Sequence, residues 1–142
     1  MQNPFIIKEP KMFGDYIRFL LAEYPDRKLI LLDAPMGAGK TAFVKEFCKV
    51  LNYLGEASSP SFSIVNEYKC AGANVFHFDL YRIEKQEELF EFGFEDYLSQ
   101  NNYCLIEWPK MAEGFIEQIP RLRIKLSILP DGTRELLYTI ED

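Results

Sequence analysis

The sequence predicts an α/β domain with a mixed β-sheet flanked by helices and carrying antiparallel hairpins. Three observations point there. The apolar run LILLD, residues 29–33, breaks into a Gly-rich turn and then a helical repeat, the strand–turn–helix of a crossover unit. A second apolar run, YCLIE at 103–107, has the length and composition of a buried strand. Two pairs of strand-like segments flank short turns, which adds hairpins to the crossovers. With 142 residues, the chain suits a single domain spanning 1–142.

Taken in order, Gly14-Asp15 opens a helix expected to reach about Tyr24, with Tyr16, Phe19 and Leu20 on one face and Pro25-Asp26 ending it. Lys28–Asp33 reads as a short buried strand. Lys40–Leu54 reads as a helix, because Phe43, Phe47, Val50, Leu51 and Leu54 recur at helical spacing, with Gly55 as a natural stop. Ser58-Ser59-Pro60 is a loop. Phe62–Lys69 and Val75–Tyr81 form a hairpin joined by CAGAN. Lys85–Leu98 is helical but broken near Gly93. Tyr103–Trp108 is a strand stopped by Pro109. Arg121–Leu129 alternates apolar and polar residues, PDGT turns the chain, and Arg134–Ile140 returns as a second hairpin. No internal repeat or low-complexity tract interrupts this order.

The formal net charge is −6 and the sequence pI about 4.9. That balance argues against a stand-alone nucleic-acid binder, whose footprint is basic. It leaves open a protein that meets RNA through a partner. Cys48, Cys70 and Cys104 are an odd count without paired spacing, so reduced thiols and a cytoplasmic setting are expected. The opening MQNPFIIKEP has no basic region ahead of a long apolar stretch, so no signal peptide is expected. No run approaches membrane-spanning length.

The turn after the first buried strand carries the strongest chemistry. Consecutive backbone N–H groups in a Gly-rich loop form an anion-binding concavity. The next helix adds unpaired N–H groups and the positive end of its dipole. Met36, Gly37, Ala38 and Gly39 are the expected cradle. Lys40 is expected to reach the β- and γ-phosphates, and the Thr41 hydroxyl to ligate Mg²⁺. The P-loop pattern G-x-x-x-x-G-K-[ST] is met except at its first position, where Ala34 stands.

Such a loop needs an acid at a strand's carboxyl end, to hold the Mg²⁺ shell or position water. Asp79 in VFHFDLYR is one candidate. Period two puts Phe76, Phe78 and Leu80 on a core face, and His77, Asp79 and Tyr81 on the other. Glu107, after YCLI, is the second. An isolated strand-end acid is often merely solvated, but beside a P-loop both are expected near the metal. Which one binds it directly is open from the residues alone. Ser59 and Ser61 sit where a switch-like loop would sense a γ-phosphate, although hydroxyls there also suit a plain turn. His77 by itself reads as a structural histidine. Arg121, Arg123 and Lys125 share one strand face.

APMGAGKT, SPSF, HFDLYR and IEWP, in this order and spacing, resemble the TsaE family, small bacterial ATPases of tRNA threonylcarbamoyladenosine synthesis. The resemblance runs from about Leu29 to the C-terminal hairpin. It implies a mixed-sheet P-loop fold, ATP and Mg²⁺ as ligands, ATP hydrolysis, and cytoplasmic work with TsaB and TsaD. Those partners transfer threonylcarbamoyl to adenosine-37 of tRNA, so tRNA is met indirectly through the assembly. By position it implies that Lys40 contacts phosphate, that Thr41 and Glu107 ligate Mg²⁺, and that Asp79 belongs to the same site. Lys40, Asp79 and Glu107 would form the catalytic set, and Lys110 would reach the nucleotide. Trp108 would shape the pocket or a partner surface. Ser61 stands where the family usually has Thr, and Ala34 where it usually has Gly. Most strand faces like that of Arg121, Arg123 and Lys125 are simply solvated, but within the assembly this one could touch the tRNA backbone. The competing readings are a small P-loop metabolite kinase and a non-catalytic nucleotide-binding adaptor. The kinase is disfavoured by six arginines and no obvious lid insertion.

Overall fold

The computed structural model describes residues 3–35, 37–55, 64–98 and 101–142. The strands are β1 (Phe5–Ile7), β2 (Leu29–Asp33), β3 (Val65–Tyr68), β4 (Val75–Asp79), β5 (Tyr103–Glu107), β6 (Arg121–Ile128) and β7 (Arg134–Glu141). The helices are α1 (Met12–Glu23), α2 (Lys40–Val50), α3 (Gln86–Phe92), α4 (Phe94–Leu98) and α5 (Glu113–Ile116), the last preceded by a 3₁₀ turn at Pro109–Ala112. One sheet holds all these strands in the order β1-β7-β6-β2-β5-β4-β3. β2 runs parallel to both β5 and β6, and β4 runs parallel to β5. The β3–β4, β6–β7 and β1–β7 pairs are antiparallel. The mixed sheet and both hairpins are therefore as the sequence predicts.

The parity of β2 divides the core. Ile30 and Leu32 face one side, packed with Phe13, Tyr16 and Leu20 of α1 and Phe43 and Phe47 of α2. Leu29 and Leu31 face the other, packed with Phe76, Phe78, Leu89 of α3 and Phe94 of α4. A strand covered on both faces has no solvent side to place polar residues on, which is why LILL is unbroken. Phe43 is fully buried, and truncation of such a ring costs roughly 3–5 kcal/mol.

Several boundaries differ from expectation. α1 begins at Met12, because Met12 and Phe13 already donate back to Glu9 and Pro10. α2 stops at Val50, short of the expected Leu54. Asn52 takes a left-handed φ of 62° and Tyr53 makes a β-bridge with Cys70. Leu54 is consequently 61% exposed and lies off the helix's apolar face. β4 ends at Asp79, although Leu80 beyond it is buried and Tyr81 exposed, as the alternation predicts. The helix over 85–98 is broken at Gly93, whose φ is 84°. Only Val65–Tyr68 of the first hairpin's leading strand lies among described residues as strand. The short edge strand β1 and the helical turns at 109–116 were not expected from the sequence. All three cysteines are free and buried, and burial pushes the Cys48 and Cys104 thiols up to about 12. Among the described residues no helix is long and apolar enough to cross a membrane.

Candidate functional site

β2 ends at Asp33 and α2 begins at Lys40, and the turn between them includes the described residues 34, 35 and 37–39. Gly37 has φ 78° and Gly39, the residue capping α2, has φ 108°. A Cβ at Gly39 would lie 3.6 Å from the nearest atom, the Cζ of Phe13. The glycine is therefore required by its backbone angle rather than by a clash, since that contact is an ordinary one. Ala38 is buried and its N–H closes back on the Pro35 carbonyl at 3.2 Å. The first N–H groups of a helix have no partner within it, and among the described residues no side chain caps α2. Unpaired N–H groups at a helix start are suited to an anion. Thr41 stands exposed in that first turn.

Lys40 turns from the start of α2 toward the end of β5. Its Nζ lies 3.6 Å from Glu107 Oε1 and 4.4 Å from the centre of the Trp108 ring. Glu107 is placed there by register. It pairs with Leu32 on one side and Asp79 on the other, so β5 ends between the loop strand and the second acid strand. Among the described residues it is the one buried charged side chain, 7% exposed. Its other oxygen meets His77 Nε2 at 2.6 Å. Burial pushes the Glu107 carboxyl up. The His77 hydrogen bond and charge, together with Lys40, outweigh this and hold it below the usual carboxylate range.

Trp108 follows in a left-handed conformation, φ 56°, which ends the strand and starts the turn at Pro109. Its ring is tilted against that of Tyr81 at 5.0 Å. Asp79 is level with Glu107 on the neighbouring strand, but its carboxylate is exposed and accepts the Tyr81 N–H at 3.1 Å. Lys110 is exposed on the 3₁₀ turn and lines a cleft of about 390 Å³ with Ala34, Trp108 and Arg123.

The model of the family described as "Threonylcarbamoyl adenosine biosynthesis protein TsaE" matches residues 7–136. The chain belongs to the TsaE family. Relatives with that family's name include a Rickettsia typhi protein, 36% identical over 89% of this chain and 85% of its own length. A Haemophilus influenzae protein is 34% identical over 75% of this chain and 68% of its own, and a Bacillus subtilis one 34% over 78% and 68%. The crystal structure of Bacillus subtilis YdiB aligns at a TM-score of 0.73 and 26% identity, over 98% of this chain and 85% of that one.

In this TsaE-family chain the fold brings Lys40, Glu107 and Trp108 into contact, with Thr41 and Asp79 at the rim. Met36, Ser59 and Ser61 lie outside the described residues. His77, which by itself reads as a structural histidine, bonds the buried Glu107 carboxylate. Period two gave a clue: His77 shares a face with Asp79, one step from the end of the strand. The expected open face of Arg121, Arg123 and Lys125 is corrected. Arg121 and Arg123 are both held by Glu141, at 2.9 and 2.8 Å, and Arg123 also by Glu113 at 3.1 Å. Their charge is answered within the fold, which leaves Lys125 as the exposed cation.

Proposed function

We propose that this TsaE-family protein binds and hydrolyses Mg-ATP in support of threonylcarbamoyl transfer to adenosine-37 of tRNA, acting in the cytoplasm with TsaB and TsaD. The observation that carries the reading is Lys40 poised at 3.6 Å from Glu107 beside the open N-terminus of α2. A cation and an anion facing across such a loop are the pair that a phosphate and its counter-metal separate.

The donor set fits that ligand. Among the described residues no group of three His, Cys, Asp or Glu side chains forms a metal cage. Mg²⁺ on a nucleotide needs none, because one or two protein oxygens suffice beside phosphates and water. Thr41 and Glu107 are the residues that would hold it, and the exposed Asp79 would act through water. When bound, Mg-ATP supplies the reactive phosphorus and partial cancellation of its charge. The chain's part is positioning. The backbone N–H groups of 37 and 39–41 orient phosphate oxygens, and Lys40 exchanges its partner Glu107 for phosphate. His77 keeps the freed carboxylate ionised and aimed, and Trp108 walls the pocket. Lys110 reaches the nucleotide from the 3₁₀ turn.

Calorimetric titration with ATP, with and without Mg²⁺, tests the reading. Binding that Mg²⁺ strengthens and Lys40→Ala weakens at least tenfold is expected. Absence of binding to the wild type contradicts it.

A further inference from the structure

The C-terminal hairpin returns to the phosphate loop at one residue. Arg134 opens β7, paired with Ile128 of β6 and Ile7 of β1. Its Nε donates to the Ala38 carbonyl at 2.9 Å and its Nη2 to the Gly37 carbonyl at 3.4 Å. Its Nη1 donates to the Gly132 carbonyl at 2.7 Å, which fixes the fork to its own turn. That turn is bonded within itself: Gly132 has φ 88°, and Asp131 Oδ1 accepts both the N–H and the hydroxyl of Thr133.

In a trans peptide the C=O and the following N–H point in opposite directions. A guanidinium that holds the 37 and 38 carbonyls therefore turns the N–H groups of Ala38 and Gly39 the other way. The Ala38 N–H is spent on Pro35. The Gly39 N–H, at the cap of α2, is left facing the cradle. A cation on the carbonyl side also polarises that peptide and makes its N–H a stronger donor. Arg27, Arg121 and Arg123 each pair with a carboxylate. Among the described ion pairs Arg134 has none, so its charge is not cancelled by one.

We propose that Arg134 is a positioning residue for phosphate binding: it latches the 37 and 38 carbonyls so that the Gly39 N–H is aimed at an anion, and it adds its positive potential from behind. The role rests on the Mg-ATP reading for its ligand, but the latch itself does not need nucleotide.

Two measurements on the full chain test it, with Arg134→Gln and Arg134→Lys compared to the wild type. The first is amide hydrogen exchange over residues 37–41 without nucleotide. Exchange about tenfold faster in Arg134→Gln, with the exchange of β2 and β5 unchanged, is expected from loss of charge-assisted bonds. Loop exchange equal to the wild type overturns the latch, whatever nucleotide does. The second is Mg-ATP affinity and the KM and kcat of hydrolysis. Arg134→Gln is expected to raise Kd and KM about tenfold with kcat within about twofold, and Arg134→Lys to recover most of the loss. An unchanged Kd in Arg134→Gln overturns the role in anion binding. A fall in kcat at constant KM also overturns it, because it would place Arg134 in the chemical step. A wild type that binds no Mg-ATP contradicts the ATP reading instead, and the exchange experiment then decides the latch alone. Should Arg134→Gln unfold, loop exchange in Arg134→Lys decides: faster exchange than the wild type, from loss of the two-carbonyl fork, is expected, and exchange equal to the wild type overturns the latch.

Discussion

His77 Nε2 lies 2.6 Å from Glu107 Oε2, across the parallel β4–β5 pair. An ionised carboxylate only accepts, so the ring nitrogen facing it carries the proton. The other ring nitrogen, Nδ1, is buried and has no partner among the described residues. The ring is thus committed to one bond, and that bond orients the Glu107 carboxylate. Replacing His77 with Phe removes the donor and leaves a buried oxygen half-satisfied. Destabilisation of about 1–3 kcal/mol in urea unfolding is expected, with a larger loss of ATP hydrolysis than of ATP binding. His77→Gln, which can still donate, is expected to recover part of the hydrolysis. Equal hydrolysis in the Phe variant and the wild type would show that the bond does not matter to the site.

The Glu107 carboxyl is held below its usual range, which makes it a source of acid sensitivity. A carboxylate with a depressed folded pKa contributes stability that is full above the unfolded value, about 4.3. That contribution is lost as pH falls through the lower folded value. Glu141 has the same sign, through its hydrogen bonds to Arg123 and Arg121. Urea unfolding between pH 7 and 3 is expected to show stability falling below about pH 4.3. Glu107→Gln is expected to flatten part of that fall and leave the Glu141 part. A slope unchanged by the substitution would mean that Glu107 is not preferentially ionised in the fold.

Trp108 is the single tryptophan of the chain, and Lys40 Nζ sits 4.4 Å above its ring. A phosphate that draws Lys40 away removes a cation from the indole face. Titration with Mg-ATP is therefore expected to change tryptophan emission saturably. Lys40→Ala is expected to shift the ligand-free emission and to abolish the change. Emission indifferent to Mg-ATP at concentrations where calorimetry shows binding would contradict the Lys40 movement.

Gly37 and Gly39 hold φ of 78° and 108° with no contact near enough to exclude a methyl group. Alanine at either position therefore meets a backbone penalty and no clash, about 1–3 kcal/mol. Each variant is expected to stay folded, with a Tm lowered by a few degrees and Mg-ATP affinity reduced at least tenfold. Unchanged affinity in both would remove the loop conformation from the binding account.

Local features were the legible ones. The β2–loop–α2 unit, the acids at the ends of β4 and β5, and both hairpins depend on periodicity and turn residues within one stretch of chain. What escaped depends on register between distant strands. His77 and Glu107 meet only because β4 and β5 are parallel neighbours. Arg121 and Arg123 read as a free cationic face because their partner, Glu141, lies at the far end of the returning strand. The β6–β7 register, followed outward from the PDGT turn, already places Glu141 opposite Arg121. β1 is three residues long, too short for an alternation to register. The end of α2 was overrun because Leu51 and Leu54 continue the helical spacing, while the bridge of Tyr53 to Cys70 draws the chain away.

The central claim is that Lys40 and Glu107 serve one ATPase site. The most direct test is Mg²⁺-dependent ATP hydrolysis, measured with and without TsaB and TsaD, for the wild type, Lys40→Ala and Glu107→Ala. The account predicts hydrolysis that rises with the partners and falls at least a hundredfold in both variants, about 2.7 kcal/mol of transition-state stabilisation. Nucleotide that binds but is never hydrolysed, with or without the partners, would contradict it and leave Lys40 and Glu107 as binding residues of a nucleotide-dependent adaptor.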